Sequence, residues 1–253
     1  MTYLLAPFKF LYKVYFGLIF CVFGILFYPV FIFLLRTEKG IPAAWQLKKI
    51  WTKCIQVFTF MWLSIKNKHN FPTDTPYIIC ANHASYLDII LMYSIVPQCF
   101  IFMGKSELLQ WPLVNVFFRN MDVPVYRNDK YKAAKSLQIA GKRLKSGYNV
   151  VIFPEGKMPP NAPKIDKFKN GAFKLAIEHQ IPIVPITFLN NWLLFSDHED
   201  VFRYGQPGIA KLIVHEPVET KGLTEEDLIN LRDQTREIIK TPLYEQGYYR
   251  RNR

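Results

Sequence analysis

Short apolar runs alternate with longer segments of helical periodicity from residue 77 onward. The apolar runs predict six strands: Tyr77–Ala81, Cys99–Met103, Val123–Tyr126, Asn149–Phe153, Ile183–Phe188 and Ala210–Val214. The periodic segments predict five helices: Tyr86–Ile95, Leu108–Arg119, Tyr131–Ser146, Gly171–Gln180 and Glu225–Ile239. This alternation predicts an α/β fold in which a mixed sheet is flanked by helices. Asn190–Gly208 breaks the pattern and is interpreted as an insertion.

The N-terminal part has a different pattern, which predicts a membrane-associated segment of two helices. Val14–Leu35 is a run of 22 residues without a charge, long enough to cross a bilayer. Gly17, Gly24 and Pro29 interrupt the run, so a kinked or re-entrant helix is an alternative to a straight spanning helix. If the run spans the membrane, the lysines and arginines that follow it place the rest of the chain on the cytoplasmic side.

The second predicted helix carries an apolar stripe. Its apolar residues recur at steps of three and one: Leu47, Ile50, Trp51, Cys54, Ile55, Phe58, Met61, Trp62 and Ile65. Lys48, Lys49 and Lys53 fall on other faces, as is typical of a helix in the bilayer interface. The alternative is an ordinary helix packed on the core. We therefore predict a membrane-associated segment (residues 1–66), an α/β domain (67–243) and a basic tail (244–253).

Composition narrows the choice of partners. The chain has 32 lysines and arginines against 20 acidic residues, a net charge of +12, and half of its residues are hydrophobic. Such a balance indicates an anionic partner, either a nucleic acid or an acidic lipid surface. The long apolar run favours membrane lipid, so we expect association with the cytoplasmic face of a membrane and no nucleic-acid partner. The histidines and cysteines lack metal-ligand spacing, and we expect no metal.

The segment from Asn82 to Asp88 offers candidate catalytic chemistry. His83 and Asp88 lie five residues apart, directly after an apolar run. A carboxylate that accepts from one imidazole nitrogen leaves the other free to take a proton. Side chains five apart on a helix diverge, so the pair can meet only if His83 precedes a helix and Asp88 lies in its first turn. Ser85 is a suitable N-cap for that helix. Alternatively, Asp88 only caps the helix and His83 is a loop residue.

Three further blocks follow in the sequence. Arg127 comes after a short predicted strand, and Phe153-Pro154-Glu155-Gly156 ends another strand. Ile181–Ile186 is an apolar run with two prolines. Together with the Asn-His-x-x-x-x-Asp segment, these blocks resemble in their order the four motifs of the glycerolipid acyltransferase family, typified by 1-acyl-glycerol-3-phosphate acyltransferase. The resemblance covers about residues 70–215, and the combination is highly specific.

The resemblance implies an enzyme of phospholipid biosynthesis. It would move a fatty acyl group from acyl-CoA or acyl-carrier protein to the free hydroxyl of a lysophospholipid, most often 1-acyl-glycerol-3-phosphate. His83 would be the general base and Asp88 would orient it, while Arg127, Glu155 and Gly156 would hold the glycerol-phosphate end. The thioester donor is already activated, so we expect neither a covalent acyl-enzyme nor a cofactor.

Two lysines and one glutamate leave alternatives open. Where the family has Thr-Arg-Ser after the Phe-Pro-Glu-Gly block, this chain has Lys157-Met158-Pro159, and Lys157 is a candidate replacement for the arginine. Lys105, which follows a predicted strand, is either a second phosphate ligand or an exposed lysine at a helix entry. Glu155 either contacts substrate or pairs with an arginine to fix its loop, and Gly156 serves the turn itself.

Two other functions compete with acyl transfer. A thioesterase or lysophospholipase could use the same histidine and aspartate on water, and free fatty acid as the product would distinguish it. No G-x-S-x-G nucleophile elbow supports that function. A non-catalytic basic protein that binds membranes or nucleic acid would need neither the His83/Asp88 pair nor the Phe-Pro-Glu-Gly block.

Overall fold

The centre of the molecule is a seven-stranded sheet, as seen in a computed structural model that describes residues 6–196 and 204–248. The strands are β1 (Met61–Lys66), β2 (Ile78–Ala81), β3 (Phe100–Lys105), β4 (Val123–Val125), β5 (Asn149–Ile152), β6 (Ile183–Phe188) and β7 (Gly208–Val214). Their order across the sheet is β1-β7-β6-β2-β5-β3-β4. All neighbours are parallel except β6 and β7, which are antiparallel. The predicted mixed α/β sheet is confirmed.

Helices cover both faces of this sheet. The α-helices are α1 (Ala6–Leu34), α2 (Ile41–Phe58), α3 (Leu87–Ile95), α4 (Asn115–Asn120), α5 (Lys130–Lys145), α6 (Gly171–His179), α7 (Asn191–Leu194) and α8 (Leu228–Glu245). The β2-α3-β3 and β4-α5-β5 connections run in opposite directions across the sheet, so right-handed crossovers put α3 and α5 on opposite faces. In agreement, α2 packs on α3, whereas α6 packs on both α5 and α8.

The six predicted strands are all present, with ends that shift by at most two residues. Three of the predicted helices also match, within one residue, α3, α5 and α6. The central strands β2 and β6 are buried along their whole length, as expected for strands covered by helices on both faces. A continuous apolar run bounded by turn residues is therefore a reliable signal in this part of the chain.

The predicted second helix is wrong at its C-terminal end. Helix α2 stops at Phe58, Phe60 takes a left-handed conformation with φ of 55°, and Met61–Lys66 forms β1 beside β7. Met61 is buried whereas its neighbour Trp62 is exposed, the alternation of a strand at the edge of a sheet. Met61 and Ile65 fit the spacing of the helical stripe as well as the alternation of a strand, so the pattern wrongly predicted that the helix continues through β1.

The apolar stripe of α2 faces the core rather than lipid for most of its length. Trp51 and Ile55 are buried, and only some positions, such as Ile50 and Phe58, are exposed. For this helix the alternative of ordinary packing on the core is the better description. Lys48, predicted to lie on a polar face, is only 5% exposed.

Two other predicted helices have different ends. The predicted helix Leu108–Arg119 is broken, because Pro112 has no N–H to donate and Leu113 has a φ of 64°. A 3-10 turn and α4 replace it. Helix α8 runs on to Glu245 and its Leu243 is fully buried, so order extends into the predicted tail. The last five residues of that tail, 249–253, lie outside the described residues.

The buried charge of Lys48 joins α2 to the sheet. Its ammonium lies 3.0 Å from Asp122 Oδ2, donates to the Tyr93 hydroxyl at 2.8 Å and sits 3.7 Å from the centre of the Phe117 ring. The other oxygen of Asp122 accepts from the backbone N–H of Phe102 in β3 at 2.9 Å. A buried ion pair needs such additional hydrogen bonds, because both charges have lost their water.

We expect Lys48→Ala to lower the free energy of unfolding by about 3–5 kcal/mol, because Asp122 would keep a buried charge without its cation. Denaturant unfolding followed by tryptophan fluorescence measures the loss. Lys53→Ala removes an exposed lysine from the same helix and should change stability by no more than about 0.5 kcal/mol. Similar losses in the two variants would contradict a stabilising role for the buried pair.

Candidate active site

The carboxyl ends of five parallel strands lie side by side at one edge of the sheet, in the order β6, β2, β5, β3 and β4. Four sequence-predicted residues sit at these ends. His83 follows β2, Glu155 follows β5, Lys105 ends β3 and Arg127 follows β4. Neighbouring strands are about 4.8 Å apart, so the four positions extend over roughly 14 Å along the edge. This edge is where open α/β sheets place their ligands.

His83 and Asp88 meet as the sequence predicted, with His83 before α3 and Asp88 in its first turn. Asp88 is fully buried, and its Oδ2 atom lies 3.1 Å from His83 Nδ1. The same oxygen accepts from the backbone N–H groups of Ala84 at 2.7 Å and Ser85 at 2.8 Å. An ionised carboxylate only accepts, so the proton of the neutral imidazole lies on Nδ1 and Nε2 is free to take another.

The start of α3 differs from the prediction in one detail. Tyr86, not Ser85, occupies the N-cap position. The Ser85 hydroxyl accepts from the backbone N–H of Leu87 at 3.1 Å and donates to the carbonyl of Phe195 at 2.6 Å. Asp88 binds both the loop backbone and the imidazole, so helix capping and orientation of His83 are carried by the same carboxylate.

Asn191, which the sequence did not single out, completes the surroundings of Asp88. Its Nδ2 atom donates to Asp88 Oδ1 at 2.7 Å from the start of α7, three residues after β6 ends. Asn191 Oδ1 is buried and has no hydrogen-bond partner among the residues that the structure describes. No local signal could have found Asn191, because its role depends on β6 lying beside β2.

The imidazole is also held from its face. The rings of His83 and Phe153 stack with centroids 4.2 Å apart and an angle of 19° between their planes. Asn82, the residue before His83, is fixed to β6: its side chain donates to the carbonyl of Phe188 at 3.0 Å and accepts from the Phe188 N–H at 2.7 Å. The orientation of His83 therefore depends on contacts with two neighbouring strands.

Glu155 fixes two loops. Its Oε1 atom accepts from the backbone N–H of His83 at 2.9 Å and its Oε2 atom from that of Asp166 at 2.9 Å. Within the part of the chain that the structure describes, no arginine forms an ion pair with Glu155, and backbone N–H groups fix the loop instead. Glu155 is only 3% exposed, and burial raises its pKa from 4.5 to about 8, although the two N–H groups act in the opposite direction.

The remaining predicted residues differ in their placement. Gly156 has a φ of 75° and lies in a turn closed by its N–H to the carbonyl of Phe153, so it does serve the turn. The Lys105 ammonium lies 5.7 Å from the centre of the Trp111 ring. Arg127 and Lys157 are both exposed. The structure thus brings His83, Asp88 and Glu155 into one network, with Lys105 and Arg127 farther along the same edge.

A family model described as Acyltransferase matches residues 63–189, about half of the chain, and this range contains the whole His83–Asp88–Glu155 network. The chain belongs to this acyltransferase family. Its sequence is 31% identical over 187 residues to 1-acyl-sn-glycerol-3-phosphate acyltransferase alpha of Mus musculus and 32% identical to the Homo sapiens protein of the same name. Each alignment covers 71% of this chain and 62% of the relative.

The fold of this acyltransferase family member is also similar to a solved structure. The 1-acyl-sn-glycerophosphate (LPA) acyltransferase PlsC from Thermotoga maritima aligns over the full length of both chains, with a TM-score of 0.76 and 26% sequence identity. The likeness extends over the N-terminal helices as well as the sheet.

The raised pKa of Glu155 predicts how stability depends on pH. The folded protein holds a proton that the unfolded chain releases, so the free energy of unfolding should fall as pH rises from about 4.5 to about 8. One proton gives a slope of at most about 1.4 kcal/mol per pH unit. Glu155→Gln cannot titrate and should reduce this slope, as measured by urea unfolding at about pH 5.5 and about pH 8.

The matched control is Glu178→Gln, which changes an exposed glutamate on α6. It should keep the wild-type slope. An unchanged slope in Glu155→Gln would show that Glu155 is ionised in the folded protein throughout this range.

Proposed function

We propose that this protein transfers a fatty acyl group from acyl-CoA or acyl-carrier protein to the free hydroxyl of a lysophospholipid, with 1-acyl-glycerol-3-phosphate as the preferred acceptor. The observation that carries the proposal is the His83–Asp88 pair at the carboxyl edge of the sheet. A fully buried carboxylate holds Nδ1, while the His83 side chain keeps 11% of its surface exposed. The names of the relatives support the choice of acceptor.

The chemistry follows from this geometry. His83 Nε2 takes the proton of the acceptor hydroxyl as its oxygen attacks the thioester carbonyl. The Asp88 carboxylate stabilises the imidazolium that forms. When the tetrahedral intermediate collapses, the carbon–sulfur bond breaks and the imidazolium proton passes to the leaving thiolate. One hydroxyl proton thus ends on the thiol, and no acyl-enzyme is formed.

Two cations at the same edge support a phosphate-bearing acceptor. Lys105 in β3 pairs with Val125 in β4, and Arg127 follows two residues later, so both side chains leave adjacent strand ends. The planar guanidinium of Arg127 suits bidentate contact with phosphate oxygens. We assign Arg127 and Lys105 to the glycerol-phosphate end of the acceptor, and Glu155 to positioning His83 through its backbone.

A product assay tests the proposal, with a panel of lysophospholipids offered against acyl-CoA and acyl-carrier protein. We expect diacyl phospholipid from the wild type, and His83→Ala should lower the rate by about 10²–10⁴ because the base is lost. Free fatty acid as the main product would instead support a thioesterase or lysophospholipase. Near-wild-type turnover in His83→Ala would contradict both acyl transfer and hydrolysis by the His83–Asp88 pair.

Asp88→Asn separates orientation of the imidazole from helix capping. Its amide oxygen can still accept from Ala84 and Ser85, and its nitrogen can donate to Asn191 if that amide turns over. The fold should therefore persist while the rate falls severely, because a neutral amide stabilises an imidazolium less. Loss of cooperative thermal unfolding would indicate that Asp88 acts mainly as a cap.

Association with membranes is expected from α1. Among the described residues, α1 is the one helix that is both long enough and apolar enough to cross a bilayer, judged by length and composition. Large apolar side chains are exposed along one face at steps of three and four residues: Phe8, Leu11, Tyr15, Leu18, Val22 and Ile25. Exposed apolar area of this extent marks a surface that water does not cover in the working protein.

We infer that α1 lies along the membrane surface instead of crossing it. Near its start, the Tyr12 hydroxyl donates to the carbonyl of Thr59 at 2.7 Å. Near its end, the Phe31 ring packs edge-on against Phe117 at 4.8 Å. Tyr12 and Phe31 are about 28 Å apart along the helix axis, close to the thickness of a bilayer core of about 30 Å. A helix bound to the α/β domain over that length cannot leave it to cross the bilayer.

We place the protein on the cytoplasmic face. The basic residues that follow α1 in the sequence, including Arg36, Lys39 and Lys53, suit the anionic lipids of the cytoplasmic leaflet. The four cysteines are free, as expected in a reducing compartment.

Replacing Leu18 and Ile25 together by Glu should weaken membrane binding at least tenfold, because each buried aliphatic side chain contributes about 1.5–3 kcal/mol to transfer from water. Flotation of the full-length protein with anionic vesicles measures the effect. Ile229→Glu, on an exposed apolar site of α8, is the control and should float as the wild type does. Equal flotation of all three proteins would mean that another surface binds the membrane.

A further inference from the structure

The chain that follows β6 touches the loop of the His83–Asp88 pair at two points. Asn191, at the start of α7, donates to Asp88 Oδ1 at 2.7 Å. Just after α7, the carbonyl of Phe195 accepts from the Ser85 hydroxyl at 2.6 Å. The backbone N–H of Ser85 in turn donates to Asp88 Oδ2 at 2.8 Å. Residues 191–196, which we call the α7 segment, therefore hold both oxygens of the Asp88 carboxylate, one directly and one through Ser85.

The other side of the α7 segment lies on α1. The rings of Phe195 and Phe16 pack with centroids 4.7 Å apart and an angle of 50° between their planes. The Lys13 ammonium donates to the Ser196 hydroxyl at 2.8 Å. Phe16 is only 4% exposed, whereas Leu18 in the same helix is 58% exposed. Helix α1 thus uses one face to hold the α7 segment, and a different face carries its exposed apolar side chains.

Gly205 brings a second piece of chain onto the same part of α1. It forms an antiparallel β-bridge with Phe195. A Cβ atom added to Gly205 would lie 2.6 Å from the backbone carbonyl oxygen of Lys9 in α1, which is closer than a side chain can come without a shift. Only glycine permits this close approach. The carbonyl that Ser85 binds is therefore tied to α1 twice, by the ring of Phe195 and by its bridge partner.

We propose that Phe16 and Phe195 are positioning residues, through which α1 sets the geometry of the His83–Asp88 pair. This inference rests on the proposed function and adds a condition to it: the packing of α1 on the α7 segment is needed for turnover even where no membrane is present. A shift of the Phe195 carbonyl would move Ser85, and with it an N–H group that holds Asp88. A misplacement of about 1 Å at a reacting group can cost about 10² in rate.

Kinetics with monomeric substrates separate this role from membrane binding. The full-length protein in nonionic detergent is given acyl-CoA and a short-chain 1-acyl-glycerol-3-phosphate below its critical micelle concentration. We expect Phe16→Ala to lower kcat about tenfold with little change in either KM, because only the reacting geometry is disturbed. The matched control is Phe20→Ala, which removes another ring of α1 that packs on Trp51 of α2 at 4.8 Å. It should keep the wild-type kcat.

A double-mutant cycle tests the path from α1 to Asp88. Ser85→Ala removes the hydroxyl that binds the Phe195 carbonyl. If Phe16 acts through that hydrogen bond, Phe16→Ala should lower kcat much less in the Ser85→Ala background than in the wild type. Independent losses that multiply in the double variant would contradict this path.

Hydrogen exchange provides a measurement that needs no turnover. The backbone N–H groups of Ala84 and Ser85 both donate to Asp88. Peptides that cover residues 82–88 should therefore exchange faster in Phe16→Ala and at the wild-type rate in Phe20→Ala. If the wild type forms no acyl product, the proposed function fails, and this comparison alone decides whether α1 positions the loop.

Three results would overturn the assignment. The first is a wild-type kcat in Phe16→Ala. The second is an equal loss of kcat in Phe16→Ala and Phe20→Ala, which would indicate general destabilisation of α1. The third is unchanged exchange of residues 82–88 in Phe16→Ala. If Phe16→Ala does not fold, Phe195→Leu tests the same contact from the other side, with the same expected and contradicting results.

Discussion

The rest of the site depends on burying one carboxylate. Asp88 has no exposed surface, and it stays ionised in the interior only if its oxygens are satisfied. Four donors meet it: the imidazole of His83, two loop N–H groups and the amide of Asn191. These donors come from the loop after β2 and the helix after β6, so satisfying one charge also fixes the loop, the first turn of α3 and the position of α7.

Sequence patterns predicted the parts of the fold that local periodicity determines. The strands β2 to β7 and helices α3, α5 and α6 carry an unambiguous period of two or 3.6, or a continuous apolar run. β1 was missed because Met61 and Ile65 fit both a strand and the preceding helical stripe, and only pairing with β7 decides between them. Lys48 was placed on a polar face because sequence does not show the Asp122 that meets it 74 residues later.

The catalytic candidates could be predicted, whereas their supports could not. His83 and Asp88 are close in the chain, so their spacing alone implied how they meet. Asn191 and the backbone partners of Glu155 become neighbours only once the strand order is known. In each case the missing information was a long-range contact.

The burial of Lys48 has a practical meaning for handling this protein. Helix α2 packs against α1 and, through the Lys48 ammonium, reaches Asp122 in the interior of the α/β domain. β1 then continues directly from α2 into the sheet. Removing the N-terminal segment to obtain a water-soluble fragment would remove the edge strand β1 and leave the buried carboxylate of Asp122 without its cation. Solubility would have to come from detergent or from redesign of the outer face of α1, with the chain left whole.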